Sequence, residues 1–175
     1  THLPGDIEQR ADGSLLIGIA DMSIYDELTP ALAAPALTAA TADSVWVVDA
    51  NLPLETLAFI VGEANAAGRG IAALSVSPAK ARRLAPLIDH ITVLFANRRE
   101  AAAILDREWT GKGPPAAELA SALVLAGVGG AVVTDSSDPL SVATGSDVRS
   151  LVPFRAAVQS VNGAGDAFAA GTLYG

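Results

Sequence analysis

Short apolar runs of strand length alternate with segments of helical periodicity along this chain, and this alternation constrains its fold more than any other feature. Residues 44–49 form a continuous apolar run of the kind that a buried parallel strand shows. Apolar residues then recur at helical spacing from Leu54 to Ala64, before Gly68 and Gly70 close the helix. Parallel strands need such crossover helices between them. The pattern predicts a three-layer α/β/α domain with a mostly parallel sheet.

The other predicted elements repeat this order of strand and helix. Thr29 and Pro30 open a short helix, which Pro35 is expected to limit because proline removes a backbone hydrogen-bond donor. The sequence shows neither internal repeats nor a low-complexity linker, which predicts one domain over residues 1–175. Further strands are predicted at 14–20, 71–76, 91–95, 131–134 and 140–143, and further helices at 78–87, 100–105 and before Gly127.

The composition excludes several kinds of site. A chain with no cysteines has no disulfides, thiolate zinc sites or cysteine nucleophiles, and a reducing cytoplasm is permitted. Its histidines, His2 and His90, are too few for a histidine metal centre. The formal net charge of −8 argues against binding to a nucleic-acid backbone. No apolar run approaches the roughly 20 residues of a membrane span. We expect a cytoplasmic protein with neither nucleic-acid nor membrane partners.

The C-terminal end of the chain places a small-residue turn, a carboxylate and a helix start in one short run. Gly163, Ala164 and Gly165 carry little side-chain bulk, so backbone N–H groups can approach an anion at the positive end of the following helix. Asp166 falls in the first turn, where the helix dipole favours an ionised carboxylate that can accept a proton. The run predicts a phosphate site with a base beside it. A plain helix start, capped by Asn162, is the alternative.

This segment resembles the C-terminal signature of the ribokinase-like (PfkB) carbohydrate kinases, Asp-Thr-x-Gly-Ala-Gly-Asp-x-Phe followed by small residues and glycine. The run from Gly163 to Asp166 matches that signature, as do Phe168 and Gly171. The resemblance implies a ribokinase-like fold and a phosphotransferase that uses ATP and Mg²⁺. It also implies that Asp166 is the catalytic base, that the turn beginning at Gly163 is the anion hole, and that Asn162 contacts the nucleotide.

Asn97, Arg98, Arg99 and Glu100 follow a predicted strand and begin a helix. Read locally, they are an asparagine cap with glutamate at the third helical position, a variant of the capping box. The ribokinase-like family carries an Asn-x-x-Glu motif at this point. The resemblance implies that Asn97 and Glu100 organise Mg²⁺ beside the phosphates, through water. Both interpretations are open.

Two further polar segments follow predicted strand ends. Asp49 and Asn51 lie where sugar kinases of the family have Asp-x-Asn, and the resemblance implies contacts to the substrate. A polar strand-to-helix turn is the alternative. Lys80 either faces a phosphate or is a solvated lysine on a helix. Lys80, Ser77 and residues 19–22 together resemble the pseudouridine-kinase branch of the superfamily, which narrows the acceptor to a C-nucleoside.

The chain departs from the family pattern at two places. Ser160 stands where several members have an aspartate that helps to hold a monovalent cation, so potassium activation is not implied. The strand that ends in Thr-Leu-Gly-x-x-Gly over the nucleotide reads Thr-Asp-Ser-Ser-Asp at 134–138 here. Thr134 keeps the implied contact to the nucleotide. Acidic side chains beside a triphosphate would repel it unless they meet a cation.

These features predict an ATP-dependent kinase for the primary hydroxyl of a sugar or nucleoside, most like a pseudouridine kinase that forms pseudouridine 5′-phosphate. The alternatives are a nucleoside- or nucleotide-binding protein without catalysis and a fragment that folds only with a partner chain; a homodimer is compatible with the sequence. The chain starts at Thr1 without methionine and lacks the family's N-terminal motif rich in glycine and asparagine. We therefore expect a sugar-binding portion and a C-terminal tail to be missing. The 175 residues alone should lack detectable kinase activity.

Overall fold

The computed structural model describes most of the chain. Asp21, within the segment 19–22, and Ser160 lie outside the described residues. The described residues are 6–9, 15–19, 22–41, 44–157 and 161–174, and for the first two of these segments only the backbone is described.

The chain divides into two compact units. The sheet unit is Leu28–Pro153, and the terminal unit combines Thr1–Glu27 with Phe154–Gly175. In the terminal unit, β1 (Asp6–Gln9) pairs with β2 (Leu15–Ile19) in an antiparallel hairpin. β2 confirms the strand predicted at this point of the chain. The single domain predicted over the whole chain stays a prediction.

A six-stranded sheet organises the sheet unit, and its strands follow one another in chain order. The first four strands are parallel, which gives three parallel pairings, and the last two strands add two antiparallel pairings. The mostly parallel sheet is therefore confirmed. The last strand was not predicted, because all of its residues are exposed at the sheet edge and show no apolar pattern. The strands are β3 (Trp46–Asp49), β4 (Ile71–Leu74), β5 (Val93–Asn97), β6 (Gly130–Asp135), β7 (Asp138–Thr144) and β8 (Asp147–Leu151).

One helix precedes the first parallel strand, and the others connect the parallel strands. That first helix runs straight through Pro35, so the prediction that Pro35 limits it is wrong. Pro35 is exposed and removes a single backbone donor, which leaves one carbonyl that solvent can satisfy. The helices are α1 (Pro30–Ala39), α2 (Leu54–Ala66), α3 (Pro78–Ala81), a 3₁₀ helix (Arg82–His90), α4 (Arg98–Ile104) and α5 (Ala116–Leu125).

One row of small and aliphatic residues crosses the sheet in register. Val48, Ala73, Leu94, Ala131 and Ala143 oppose one another on successive strands, and all are buried in one core cluster. Because side chains alternate along a strand, this row marks the sheet face that packs against the connecting helices. The helix side chains that share this core include Leu57, Val61, Leu84, Leu119 and Leu123.

Two predicted boundaries around β4 are wrong. The strand predicted at 71–76 stops at Leu74, because Val76 adopts a φ of +65°. The N–H of Ser77 then donates to the carbonyl of Ser75 at 2.8 Å, which closes a three-residue γ-turn. The helix predicted at 78–87 is an α-helix only over α3 and continues as a 3₁₀ helix that contains Pro86. A proline without an N–H is better tolerated there than inside a regular α-helix.

A tight turn of two residues, Ser136 and Ser137, joins β6 to β7. Ser136 has a φ of +55°, a conformation that glycine adopts without steric cost.

We expect Ser136→Gly to raise the free energy of unfolding by about 0.5–1 kcal/mol, measured by urea titration. The β7–β8 turn offers the mirror control, since Gly145 there also has a φ of +55°. Gly145→Ser should lower stability by a similar amount, and equal stabilities of all three proteins would contradict the prediction.

Candidate active site

Four polar residues lie at the carboxyl ends of the parallel strands. Asp49 and Asn97 are the last residues of β3 and β5, and Ser75 directly follows β4. Thr134, close to the end of β6, lies opposite Asn97 in the sheet register. Ligands of open α/β sheets bind at this edge of the sheet. The sheet unit thus brings the predicted residues Asp49, Asn97 and Thr134 to the edge where a site is expected.

Asn97 and Glu100 form a capping box at the start of α4. The N–H of Glu100 donates to Asn97 Oδ1 at 3.0 Å, and the N–H of Asn97 donates to Glu100 Oε2 at 2.9 Å. The local interpretation from the sequence is therefore confirmed. It does not remove the metal interpretation, because the box fixes the direction of the Glu100 carboxylate at the edge of the sheet.

Ser75 supplies a second donor to the same carboxylate. Its hydroxyl lies 2.5 Å from Glu100 Oε2 and 3.1 Å from the carbonyl oxygen of Phe95, and the side chains of both Ser75 and Glu100 are buried. A buried charged group needs such donors to offset its lost hydration. Sequence reasoning gave Ser75 no role, since only the parallel pairing of β4 and β5 brings it to Glu100.

Glu100 fits a Mg²⁺ ion that keeps most of its waters. Its Oε2 is committed to Ser75 and Asn97, whereas Oε1 takes part in no hydrogen bond among the described residues. Those residues also contain no cluster of three or more histidine, cysteine or acidic side chains that could hold a metal by itself. Mg²⁺ is commonly held by one or two carboxylates together with substrate phosphates and water. One oriented carboxylate satisfies that requirement, and Asn97 serves to hold it in place.

Asp49, Asn51 and Lys80 form a connected polar group after β3. The N–H of Asn51 donates to Asp49 Oδ1 at 2.7 Å, and Lys80 Nζ donates to Asn51 Oδ1. Lys80 lies on α3, where it is half-buried and bonded to Asn51, and its role at a phosphate stays a prediction. The polar strand-to-helix turn is confirmed: it carries the Asp49 carboxylate and the Asn51 amide, and Lys80 of α3 brings an ammonium group to that amide.

Arg83 holds the backbone of this turn. Its Nη1 donates to the carbonyl oxygens of Ala50, Asn51 and Leu52 at 3.0–3.1 Å. Three carbonyls on one guanidinium fix the loop between β3 and α2 with little freedom. No sequence pattern indicated this role, because an arginine on a helix is most often solvated.

The acidic residue that follows Thr134 is neutralised. Asp135 accepts hydrogen bonds from Arg98 Nη1 at 3.0 and 3.1 Å. The sequence predicted repulsion of a triphosphate here unless the acidic side chains meet a cation, and Asp135 does meet one. The adjacent Asp138 is exposed.

In the terminal unit, α6 (Ala164–Tyr174) begins at the predicted small-residue turn. Gly163 has a φ of +72°, Asn162 lies in the turn before it, and Asp166 is exposed in the first turn of α6. The predicted helix start is therefore confirmed. A Cβ added at Gly165 would meet no neighbouring atom within 4 Å, and Gly165 has no positive φ. Neither backbone conformation nor packing among the described residues explains a glycine at that position.

Among the described residues, none of the helices combines the length and apolar character that crossing a membrane requires. In a comparison with family models, the pfkB family carbohydrate kinase model matches residues 20–175. A search of curated proteins found no match.

Solved structures similar to this chain have the same fold. A carbohydrate kinase from Agrobacterium tumefaciens is 33% identical with a TM-score of 0.72, covering 95% of this chain and 52% of its own. An adenosine kinase from Sinorhizobium meliloti (22% identity, TM-score 0.70) covers 98% of this chain and 53% of its own. A ribokinase from Thermotoga maritima is 17% identical with a TM-score of 0.73, and the match covers 94% of this chain and 52% of the ribokinase chain. The predicted ribokinase-like α/β fold is confirmed, and the chain spans about half the length of these structures.

Proposed function

Because the chain belongs to the pfkB family of carbohydrate kinases, we propose that the full-length protein transfers the γ-phosphoryl group of ATP to the primary hydroxyl of a sugar or nucleoside. The observation that carries this proposal is the start of α6, where the turn at Gly163 precedes the exposed carboxylate of Asp166. A flexible small-residue turn at a helix N-terminus is suited to an anion, and a carboxylate one turn later is suited to accept a proton.

Asp166 takes the proton of the acceptor hydroxyl. The oxygen of that hydroxyl attacks the γ-phosphorus of ATP in line, and ADP leaves. The N–H groups of Gly163, Ala164 and Gly165 donate to the phosphoryl oxygens as negative charge builds there. The absence of a side chain at Gly165, for which the described residues offer no packing reason, gives such an anion room to approach. Glu100 would hold a Mg²⁺ ion, and such an ion would supply positive charge to the phosphates of the donor.

We assign the acceptor to the nucleosides, with pseudouridine first. The support is the polar group of Asp49, Asn51 and Lys80, which offers a carboxylate, an amide and an ammonium to a polyhydroxylated ligand. Asp49 can accept from ribose hydroxyls, and Lys80 can donate to a ring carbonyl or to a phosphate. Thr134 and Asn162 are the proposed contacts to the nucleotide. Because ATP is the donor, the proposed location is the cytoplasm.

The test is ATP consumption by the purified full-length protein with Mg²⁺ and a set of acceptors: pseudouridine, uridine, adenosine, ribose and fructose. We expect pseudouridine to give the highest kcat/KM and a 5′-monophosphate as product. Preference for another of these acceptors would overturn the assignment of pseudouridine as the substrate but would still support kinase activity. ATP binding without transfer to any of them would favour the non-catalytic alternative.

Glu100→Gln is expected to raise the Mg²⁺ concentration for half-maximal rate by about tenfold, on the scale of losing an outer-shell metal partner. Glutamine can still accept from Ser75 and from the Asn97 N–H, so the capping box should survive. Glu55→Gln is the matched control, because Glu55 is an exposed first-turn glutamate of α2. Rates are measured across a Mg²⁺ titration. An identical Mg²⁺ dependence for wild type and Glu100→Gln would leave Glu100 with only its capping role.

A further inference from the structure

Arg98 joins three segments at the carboxyl edge of the sheet. Besides its two bonds to Asp135, its Nε donates to the carbonyl oxygen of Pro114 at 2.9 Å. Its Nη2 donates to the carbonyl oxygens of Lys112 and Gly113 at 2.5 and 3.1 Å. Arg98 therefore connects the start of α4 with the end of β6 and with the loop that precedes α5.

The Arg98–Asp135 pair is more withdrawn from water than the other arginine pairs among the described residues. Its side chains are 19% and 27% exposed, compared with 58% and 87% for Arg82–Asp106. Exposed ion pairs contribute little to the free energy of unfolding, because water and salt screen the attraction between the two charges. Removing one member of a shielded pair leaves the other charge poorly compensated. Loss of Arg98 should therefore expose the charge of Asp135 to anything bound nearby.

Asp135 stands next to the proposed nucleotide site. It directly follows Thr134, and Thr134 lies opposite Asn97, the residue that holds Glu100 through the capping box. A polyphosphate bound at this edge would meet the field of the Asp135 carboxylate. At an effective dielectric constant of about 20, even one unpaired charge about 12 Å away changes affinity by about tenfold, and a closer charge changes it more.

We propose that Arg98 is a positioning residue for the phosphate donor: by neutralising Asp135, it makes this edge of the sheet accept the polyphosphate of ATP. The inference rests on the proposed kinase function. It assigns Arg98 a role through its charge, which is separable from the hydrogen bonds that it makes to the loop carbonyls. Lysine at position 98 keeps the charge and loses the planar fork, whereas glutamine loses the charge.

The experiment measures the Kd of the Mg²⁺ complex of ATP by titration calorimetry on the full-length protein. We compare the wild type with R98K, R98Q, D135N and the double variant R98Q/D135N, and record the melting temperature of each. R98Q should raise Kd at least about tenfold, D135N should lower Kd because it leaves the Arg98 cation uncompensated, and R98K should stay within about threefold of the wild type. The double variant should also return to within about threefold, because removing the carboxylate removes the repulsion. R98K and R98Q should both melt at lower temperature.

Three results would overturn the inference. If R98Q binds ATP as the wild type does, Asp135 needs no neutralisation. If R98Q and R98Q/D135N bind equally weakly, the lost affinity does not come from the Asp135 charge. If R98K binds as weakly as R98Q, the loop contacts matter rather than the charge. A wild-type protein that does not bind ATP would instead overturn the proposed function, and the inference with it.

Discussion

Replacing Asp166 with asparagine in the full-length protein is expected to lower turnover by at least about a hundredfold, the usual scale for losing a general base. Asparagine has nearly the same size but cannot take the proton of the acceptor hydroxyl. Because Asp166 is exposed in the first turn of α6, its replacement should leave the fold and ATP binding nearly unchanged. The measurements are kcat at saturating substrates and the Kd of ATP.

Glu118→Gln is the control for this substitution. Glu118 is also an exposed carboxylate in a first helical turn, that of α5, and it pairs with Arg107 at the surface. Loss of a surface pair costs little, so turnover should stay at the wild-type value. Turnover of Asp166→Asn within a few-fold of the wild type would show that Asp166 serves only the start of the helix.

The sequence predicted the elements that carry a continuous apolar run or a strong helical periodicity. The apolar run at 44–49 and the helical spacing from Leu54 to Ala64 identified β3 and α2 with errors of two residues at most. β8 was not predicted, because an exposed edge strand has no buried face that would require apolar and polar residues to alternate. The end of β4 escaped because an exposed valine at positive φ contradicts local preference.

For the candidate site, contacts between residues close in sequence could be predicted, whereas contacts between distant segments could not. The pairing of Asn97 with Glu100 could be predicted, because both partners lie within one helical turn. The ion pair of Asp135 could not be predicted, because its partner Arg98 lies 37 positions earlier and reaches it only through the β5–β6 register. The contact of Ser75 with Glu100 spans 25 positions and depends on the adjacent β4–β5 pairing in the same way.

Gly113→Ala is expected to destabilise the protein far more than its neighbour Gly111→Ala. Both glycines have positive φ, at +66° and +55°, so alanine costs about 1 kcal/mol of backbone strain at either position. Only at Gly113 would the new Cβ lie 2.6 Å from ring atoms of Trp109. Relieving that overlap should cost a further ~2 kcal/mol, the scale of overpacking a filled site.

The extra cost at Gly113 arises because Trp109 cannot easily move aside. The Arg98 and Arg99 guanidinium groups both lie 5.2 Å from the centre of its ring. Arg98 is in turn held by Asp135 and by the loop carbonyls, so displacing the ring disturbs contacts on both sides of the loop. Urea unfolding measures the stabilities, and the fluorescence of Trp109 reports its displacement. Equal destabilisation by the two alanines would show that the ring yields freely, and that the loop before α5 does not depend on the stacked arginines.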